Sequence, residues 1–175
     1  LKVMESLGHP YKGFLYAGLM ISKGEPYLIE YNIRMGDPEC QVLMMRLKTD
    51  LLEIIDCATK GRLNNLKIKW SNDSCVTVVL CAKGYPGNYI KNSEIKNLST
   101  IVQDQSNQIF HAGTYEKDKK VFSNGGRVLN ITSLGKNLVE ARDKSLENLE
   151  KIKWDDGFFR KDIGWKAIKN ENNKR

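Results

Sequence analysis

Glu30, Asn32 and Arg34 place a carboxylate, a carboxamide and a guanidinium at alternate positions, with Ile29, Tyr31 and Ile33 around and between them. On a strand, successive side chains leave opposite faces, so this spacing gathers the polar groups on one face and turns the apolar ones into a core. Glu30 and Asn32 offer hard oxygens of the kind magnesium takes, and Arg34 offers a planar, multi-donor contact for an anion. Such a surface can stabilise charge moving between phosphate oxygens without a nucleophile from the protein. The competing reading is the wet face of an ordinary strand. Asparagine is poor strand material, however, and neither lysine nor threonine stands on that face.

Directly downstream, Asp37 has two compatible roles: it can cap a helix opened by Pro38, or it can bind a substrate amine or hydroxyl. Glu39 reads as a first-turn charge favoured by the helix dipole. Gly125-Gly126-Arg127 is the second candidate, because paired glycines permit a turn that exposes amides and aims Arg127 at an anion. A hairpin turn with a surface arginine explains the same triplet. His111, in an apolar setting, reads as a packed or hydrogen-bonded histidine rather than a metal ligand. Tyr31, Phe110, Trp154, Phe158, Phe159 and Trp165 are assigned to packing. Neither GxGxxG nor GxxxxGK[ST] occurs, so nucleotide use needs another architecture.

The elements that must position these groups are legible in outline. Phe14 to Ile21 and Tyr27 to Ile33 are apolar runs joined through Lys23-Gly24, which predicts an antiparallel hairpin, with Gly18 marking a bulge or a close backbone approach. Asp37-Pro38 starts a helix whose Val42 to Leu47 portion helps cover that sheet. Thr49 or Asp50 caps another helix, which Gly61 stops. The polar interval from Gly61 to Asp73 reads as a boundary. Beyond it, Cys75 to Ala82, Ile109 to Thr114 and Arg127 to Ile131 are strand-like, and the last two are joined through the charged turn Glu116 to Lys120. Thr132 or Ser133 caps a helix presenting Leu138, Ala141, Leu149 and Ile152 on one face. The expected class is α+β, with a helix over a mainly antiparallel sheet. Residues 1–68 and 69–168 form two parts, and residues 169–175 a basic, polar, frayed tail.

Composition sets wider bounds. The 175 residues carry 28 basic and 21 acidic side chains, a formal +7 that suits anionic ligands without establishing nucleic-acid binding. Cys40, Cys57, Cys75 and Cys81 have no CxxC spacing and only His9 and His111 to complete a cluster, so they read as reduced thiols of a cytoplasmic protein. No apolar run approaches the roughly 20 residues that span a bilayer. The opening Leu1 to Glu5 reads as the end of a helix already under way.

Together, Gly13-Phe14-Leu15-Tyr16-Ala17-Gly18-Leu19-Met20 and Ile29 to Glu39 resemble the last part of the ATP-grasp domain of the phosphoribosylamine–glycine ligase family. The resemblance continues through Lys83-Gly84-Tyr85-Pro86-Gly87, Phe110 to Thr114, Gly125 to Leu129 and Asp162 to Trp165, and so covers nearly the whole chain. It implies the end of an ATP-grasp domain followed by a small α+β domain. It also implies a ligase of purine biosynthesis that joins glycine to 5-phosphoribosylamine through a glycyl phosphate, using ATP and magnesium or manganese. On this resemblance Glu30 and Asn32 match the metal-binding pair, and Arg34 lies beside the transferring phosphate. Gly36-Asp37-Pro38-Glu39 forms the substrate-side turn, with Asp37 and Arg34 as the catalytic candidates. Gly125, Gly126 and Arg127, like Arg34, are nucleotide-binding candidates, on a loop that closes over the site. The family's amino-terminal portion is absent from this sequence. The resemblance therefore implies a carboxy-terminal portion, partnered by that remainder and by neither nucleic acid nor membrane, with little ligase activity alone. A sister ATP-grasp ligase and a non-catalytic phosphate-binding module are the alternatives.

Overall fold

The computed structural model describes residues 1–172. The chain divides into two compact units, one made of Leu1–Cys40 and Leu47–Trp70, the other of Gln41–Arg46 and the residues from Ser71 onward.

In the first unit a short helix, α1 (Lys2–Ser6), precedes strands β1 (Tyr16–Ser22) and β2 (Glu25–Asn32), which pair antiparallel. Lys23 and Gly24, at φ 53° and 86°, close the hairpin in the left-handed region that matches the twist of two paired strands. A bulge falls between Gly18 and Leu19, as the glycine suggested. Two expectations fail here. Ile29, Tyr31 and Ile33 do not enter a core: they are 64%, 62% and 77% exposed. Alternation creates a core face only when a second layer lies on it, and among the described residues this sheet has two strands and no extensive packing against any other element. Arg34 is not on the strand either, because β2 ends at Asn32 and the chain bends through Ile33 and Arg34.

Asp37-Pro38 forms the turn directly before α2 (Glu39–Arg46). The later part of α2 groups with the second unit rather than covering the hairpin, through Ser71 N donating to Arg46 O at 2.7 Å and Arg46 Nη2 donating to Ser71 O at 2.9 Å. Helix α3 (Leu51–Thr59) is capped by Asp50, whose Oδ1 accepts from Leu52 N at 2.7 Å. Thr49 instead accepts from Lys69 N.

The second unit is built on β3 (Ser74–Ala82), whose alternate residues Val76, Val78, Leu80 and Ala82 are buried. Next come β4 (Glu94–Ile95), β5 (Asn107–His111), β6 (Thr114–Lys117), β7 (Lys120–Ser123), β8 (Arg127–Gly135), helix α4 (Leu138–Lys151), β9 (Gly157–Phe158) and helix α5 (Trp165–Asn172). One antiparallel sheet has the order β5-β8-β3-β9, and a smaller one β4-β7-β6. Helix α4 lies on β3 and β8 and brings Ala141 and Leu149 into a core with Val78, Leu129 and Ile131. At the buried seam Ser145 Oγ donates to Val76 O at 3.0 Å, satisfying a hydroxyl that would otherwise be costly to bury. The unit is α+β, as its alternating strands and single long amphipathic helix require.

Several local expectations change. Ile109 to Thr114 is not one strand: β5 ends at His111, and Thr114 starts β6 in the other sheet, so the charged turn joins β6 to β7. Thr132 and Ser133 cap nothing, because β8 runs through both and buries them completely. Asn137 caps α4 instead, its side chain accepting from Glu140 N. His111 is exposed and its Nδ1 lies 2.9 Å from Thr114 Oγ1, so it is hydrogen-bonded but not packed. Trp154 is buried, whereas Tyr31, Phe158 and Trp165 remain substantially exposed. Of the expected tail, Lys169 to Asn172 belong to α5, and residues 173–175 lie outside the described residues. Among the described residues no helix is long and apolar enough to cross a membrane.

Candidate cation and phosphate site

Glu30 and Asn32 leave the same face of β2, and their head groups meet: Asn32 Nδ2 donates to Glu30 Oε1 at 2.9 Å. The bulge decides what stands opposite them. Counted back from the Lys23-Gly24 turn without interruption, Tyr16 would face Tyr31; the extra residue on β2 moves it across from Asn32 and sets Gly18 across from Glu30. Arg34, in the bend beyond, donates from Nη1 to Met35 O at 2.8 Å. Tyr16 donates its hydroxyl to Glu39 Oε1 at 3.1 Å. That hydrogen bond, the Glu39 charge, slight burial and the Glu30 charge hold the phenol above its ordinary pKa, while the Arg34 charge opposes them. Glu39, Glu30 and Arg34 thus all act on the Tyr16 phenol. Beside the turn, Cys40 Sγ lies 3.2 Å from Met35 Sδ, and burial, then the Asp37 charge, pushes its thiol up.

The donor set fits a small hard cation. Two cis oxygens of a magnesium octahedron are roughly 2.9 Å apart, given metal–oxygen distances of about 2.0–2.1 Å. The 2.9 Å between the Glu30 and Asn32 head groups is the length of the hydrogen bond joining them, which a cation would replace, with the carboxamide turned to present Oδ1. Among the described residues no group of three or more His, Cys, Asp or Glu side chains comes together as a metal cage. A cation held here would take its other ligands from water or phosphate, which is magnesium's habit.

Gly125, Gly126 and Arg127 lie in the second unit, at the end of its larger sheet where β3 and β5 finish and β8 begins. Here the backbones of Gly113 and Gly125 approach so closely that a side-chain carbon on Gly113 would stand 2.6 Å from the Gly125 Cα. Gly113 N donates to Arg127 O at 3.0 Å, Ala82 N donates to Gly126 O at 2.8 Å, and Gly126 lies against the Tyr85 ring. The segments around Tyr85, Gly113 and Gly126 therefore converge, with the exposed Arg127 at their edge. This is more than a hairpin turn, since the triplet passes from one sheet to the other.

Sequence reasoning missed the bond between Tyr16 and Glu39. Tyr16 gave one usable signal, its place on the strand paired with the Glu30 segment, but the register that carries it to Asn32 is a product of the bulge.

Comparison with known proteins places the chain in a family. The profile described as "Phosphoribosylglycinamide synthetase, C domain" matches residues 75–166, and "Phosphoribosylglycinamide synthetase, ATP-grasp (A) domain" matches residues 1–40. The chain is 49% identical to a phosphoribosylamine–glycine ligase of Agrobacterium fabrum, over 94% of this chain and 38% of that protein. It is 47% identical to the chloroplastic protein of the same name from Arabidopsis thaliana, over 95% of this chain and 34% of that one. The crystal structure of phosphoribosylamine–glycine ligase from Thermotoga maritima superposes with a TM-score of 0.70 at 37% identity, covering 91% of this chain and 39% of that one. The chain spans about two fifths or less of the length of these relatives.

Proposed function

Because the chain belongs to the phosphoribosylamine–glycine ligase family of the ATP-grasp superfamily, we propose that it supplies the carboxy-terminal part of an ATP-dependent ligase joining glycine to 5-phosphoribosylamine. In that reaction the glycine carboxylate takes the terminal phosphoryl group of ATP and ADP leaves. The amine of 5-phosphoribosylamine then attacks the glycyl phosphate, releasing phosphate and a proton and leaving glycinamide ribonucleotide, an intermediate of purine synthesis. The observation that supports the reading is the pairing of the Glu30 and Asn32 head groups at 2.9 Å on one face of β2.

In this reading Glu30 and Asn32 hold magnesium, or manganese, which when bound neutralises phosphate charge. Arg34 offers its guanidinium to the oxygens of the transferring group, where a planar cation stabilises spreading negative charge. Asp37, at the tip of the turn before α2, is suited to the amine or carboxylate end of the small substrates, and Gly125, Gly126 and Arg127 to a nucleotide phosphate. Exclusion of water matters here, since an acyl phosphate exposed to solvent hydrolyses. We assign residues 1–68 to the end of the ATP-grasp domain and residues 69–168 to the following α+β domain. The remaining ATP contacts belong to the amino-terminal portion carried by the longer relatives. The four unpaired cysteines suit a reducing compartment such as the cytoplasm.

The test is ADP release by the complete gene product with glycine and 5-phosphoribosylamine. ADP dependent on both substrates is expected. Turnover only with another acid or amine would move the protein to a sister ligase, and phosphate binding without ADP would make it a binding module.

A further inference from the structure

We propose that Tyr16 is a positioning residue for this reaction: through its hydrogen bond to Glu39, it fixes the turn carrying Arg34 and Asp37 relative to the Glu30–Asn32 pair. The inference rests on the ligase reading and adds a residue that never touches substrate.

Three observations converge on it. Tyr16 sits across the hairpin from Asn32, so its ring leaves the sheet on the side of the paired Glu30 and Asn32 head groups. Its hydroxyl reaches past them to Glu39 Oε1 at 3.1 Å, crossing 23 positions of sequence and joining β1 to the first residue of α2. The Glu39 side chain also lies against the buried Gly36, whose bare backbone leaves it room. Cys40 N donates to Gly36 O at 2.9 Å and closes the same loop.

The segment from Ile33 to Pro38 lies in no strand or helix, and it carries both Arg34 and Asp37. Its upstream end continues from β2, which bears the cation pair. Its downstream end enters α2, which Tyr16 ties back to the same sheet. A segment anchored at one end samples many positions for its guanidinium, and one anchored at both ends samples few. A phenol is protonated at neutral pH, and the hydrogen bond to Glu39 raises its pKa further, so Tyr16 stands as a donor.

The role predicts a particular pattern in the complete gene product. Tyr16→Phe removes the donor and keeps the ring. It should lower kcat about tenfold or more while KM for magnesium–ATP stays within about twofold, because misplaced reacting groups slow the chemistry whereas the cation pair on β2 is untouched. Glu39→Ala should produce the same loss. The double variant should be no slower than the slower single variant, since both changes break one link. Hydrogen exchange at the Cys40 amide should quicken in both single variants, reporting release of the loop independently of turnover.

Wild-type kcat in Tyr16→Phe, multiplying effects in the double variant, or unchanged exchange at Cys40 would each overturn the positioning role. If the unaltered protein releases no ADP with glycine and 5-phosphoribosylamine, the ligase reading itself fails. That outcome is distinct from a functioning enzyme indifferent to Tyr16.

Discussion

Glu30 and Asn32 show how two residue types depleted from strands become informative when they share a face. Glu30 is exposed, so replacing it with glutamine alters charge and leaves packing intact. We expect Glu30→Gln to change folding stability by less than about 0.5 kcal/mol, the usual range for surface positions. Turnover should fall on the order of 100-fold, as when one preorganised electrostatic partner of a reacting phosphate is lost. Thermal unfolding and initial rates across a magnesium series check both halves. A wild-type rate would remove Glu30 from the metal site. The contrast with Thr132 is instructive: it is equally polar and lies on β8, yet it is fully buried and satisfied by Thr77 Oγ1 at 2.8 Å. Polarity alone does not mark a site.

At the scale of elements, the start of α4 shows a reciprocal arrangement. Asn137 Oδ1 accepts from Glu140 N at 2.9 Å, and Glu140 Oε2 accepts from Lys136 N at 2.9 Å, satisfying donors at a helix end that lack intrahelical partners. Asn137→Ala should cost about 1 kcal/mol of stability, within the usual span of roughly 0.5–2 for such caps. Urea unfolding gives the measurement, and an unchanged midpoint would mean that Lys136 and Glu140 hold the end without it. Sequence pattern recognised this helix and its Ala141–Leu149 face but placed its cap too early. Thr132 and Ser133 are good cap residues by type, and only their burial in the centre of a four-stranded sheet disqualifies them.

For the whole molecule, stability should be uneven. The buried core of the second unit gathers β3, β8 and α4, whereas the β1–β2 hairpin has two strands and exposed apolar side chains. Local opening follows burial and the number of supporting layers. Native-state hydrogen exchange on this chain should therefore find the slowest amides in β3, β8 and α4, and much faster exchange in the hairpin. Equal protection in both regions would contradict that ordering.

What the sequence determined by itself was local: the hairpin from Lys23-Gly24, the common face of Glu30 and Asn32, a helix cap at Thr49 or Asp50, and the α+β character of the second unit. These follow from rules acting over a few residues, namely side-chain alternation, turn dihedrals and the need to satisfy free backbone donors. Tertiary structure decided where distant parts meet. It placed Tyr16 opposite Asn32 through a one-residue bulge, ended β2 before Arg34, split β5 from β6 beside Gly113, and drew the loops at Tyr85, Gly113 and Gly126 together. It also left Ile29, Tyr31 and Ile33 uncovered. Register and burial depend on which surfaces come together across many positions of chain, and alternation along a single segment carries no record of the layer that will lie over it.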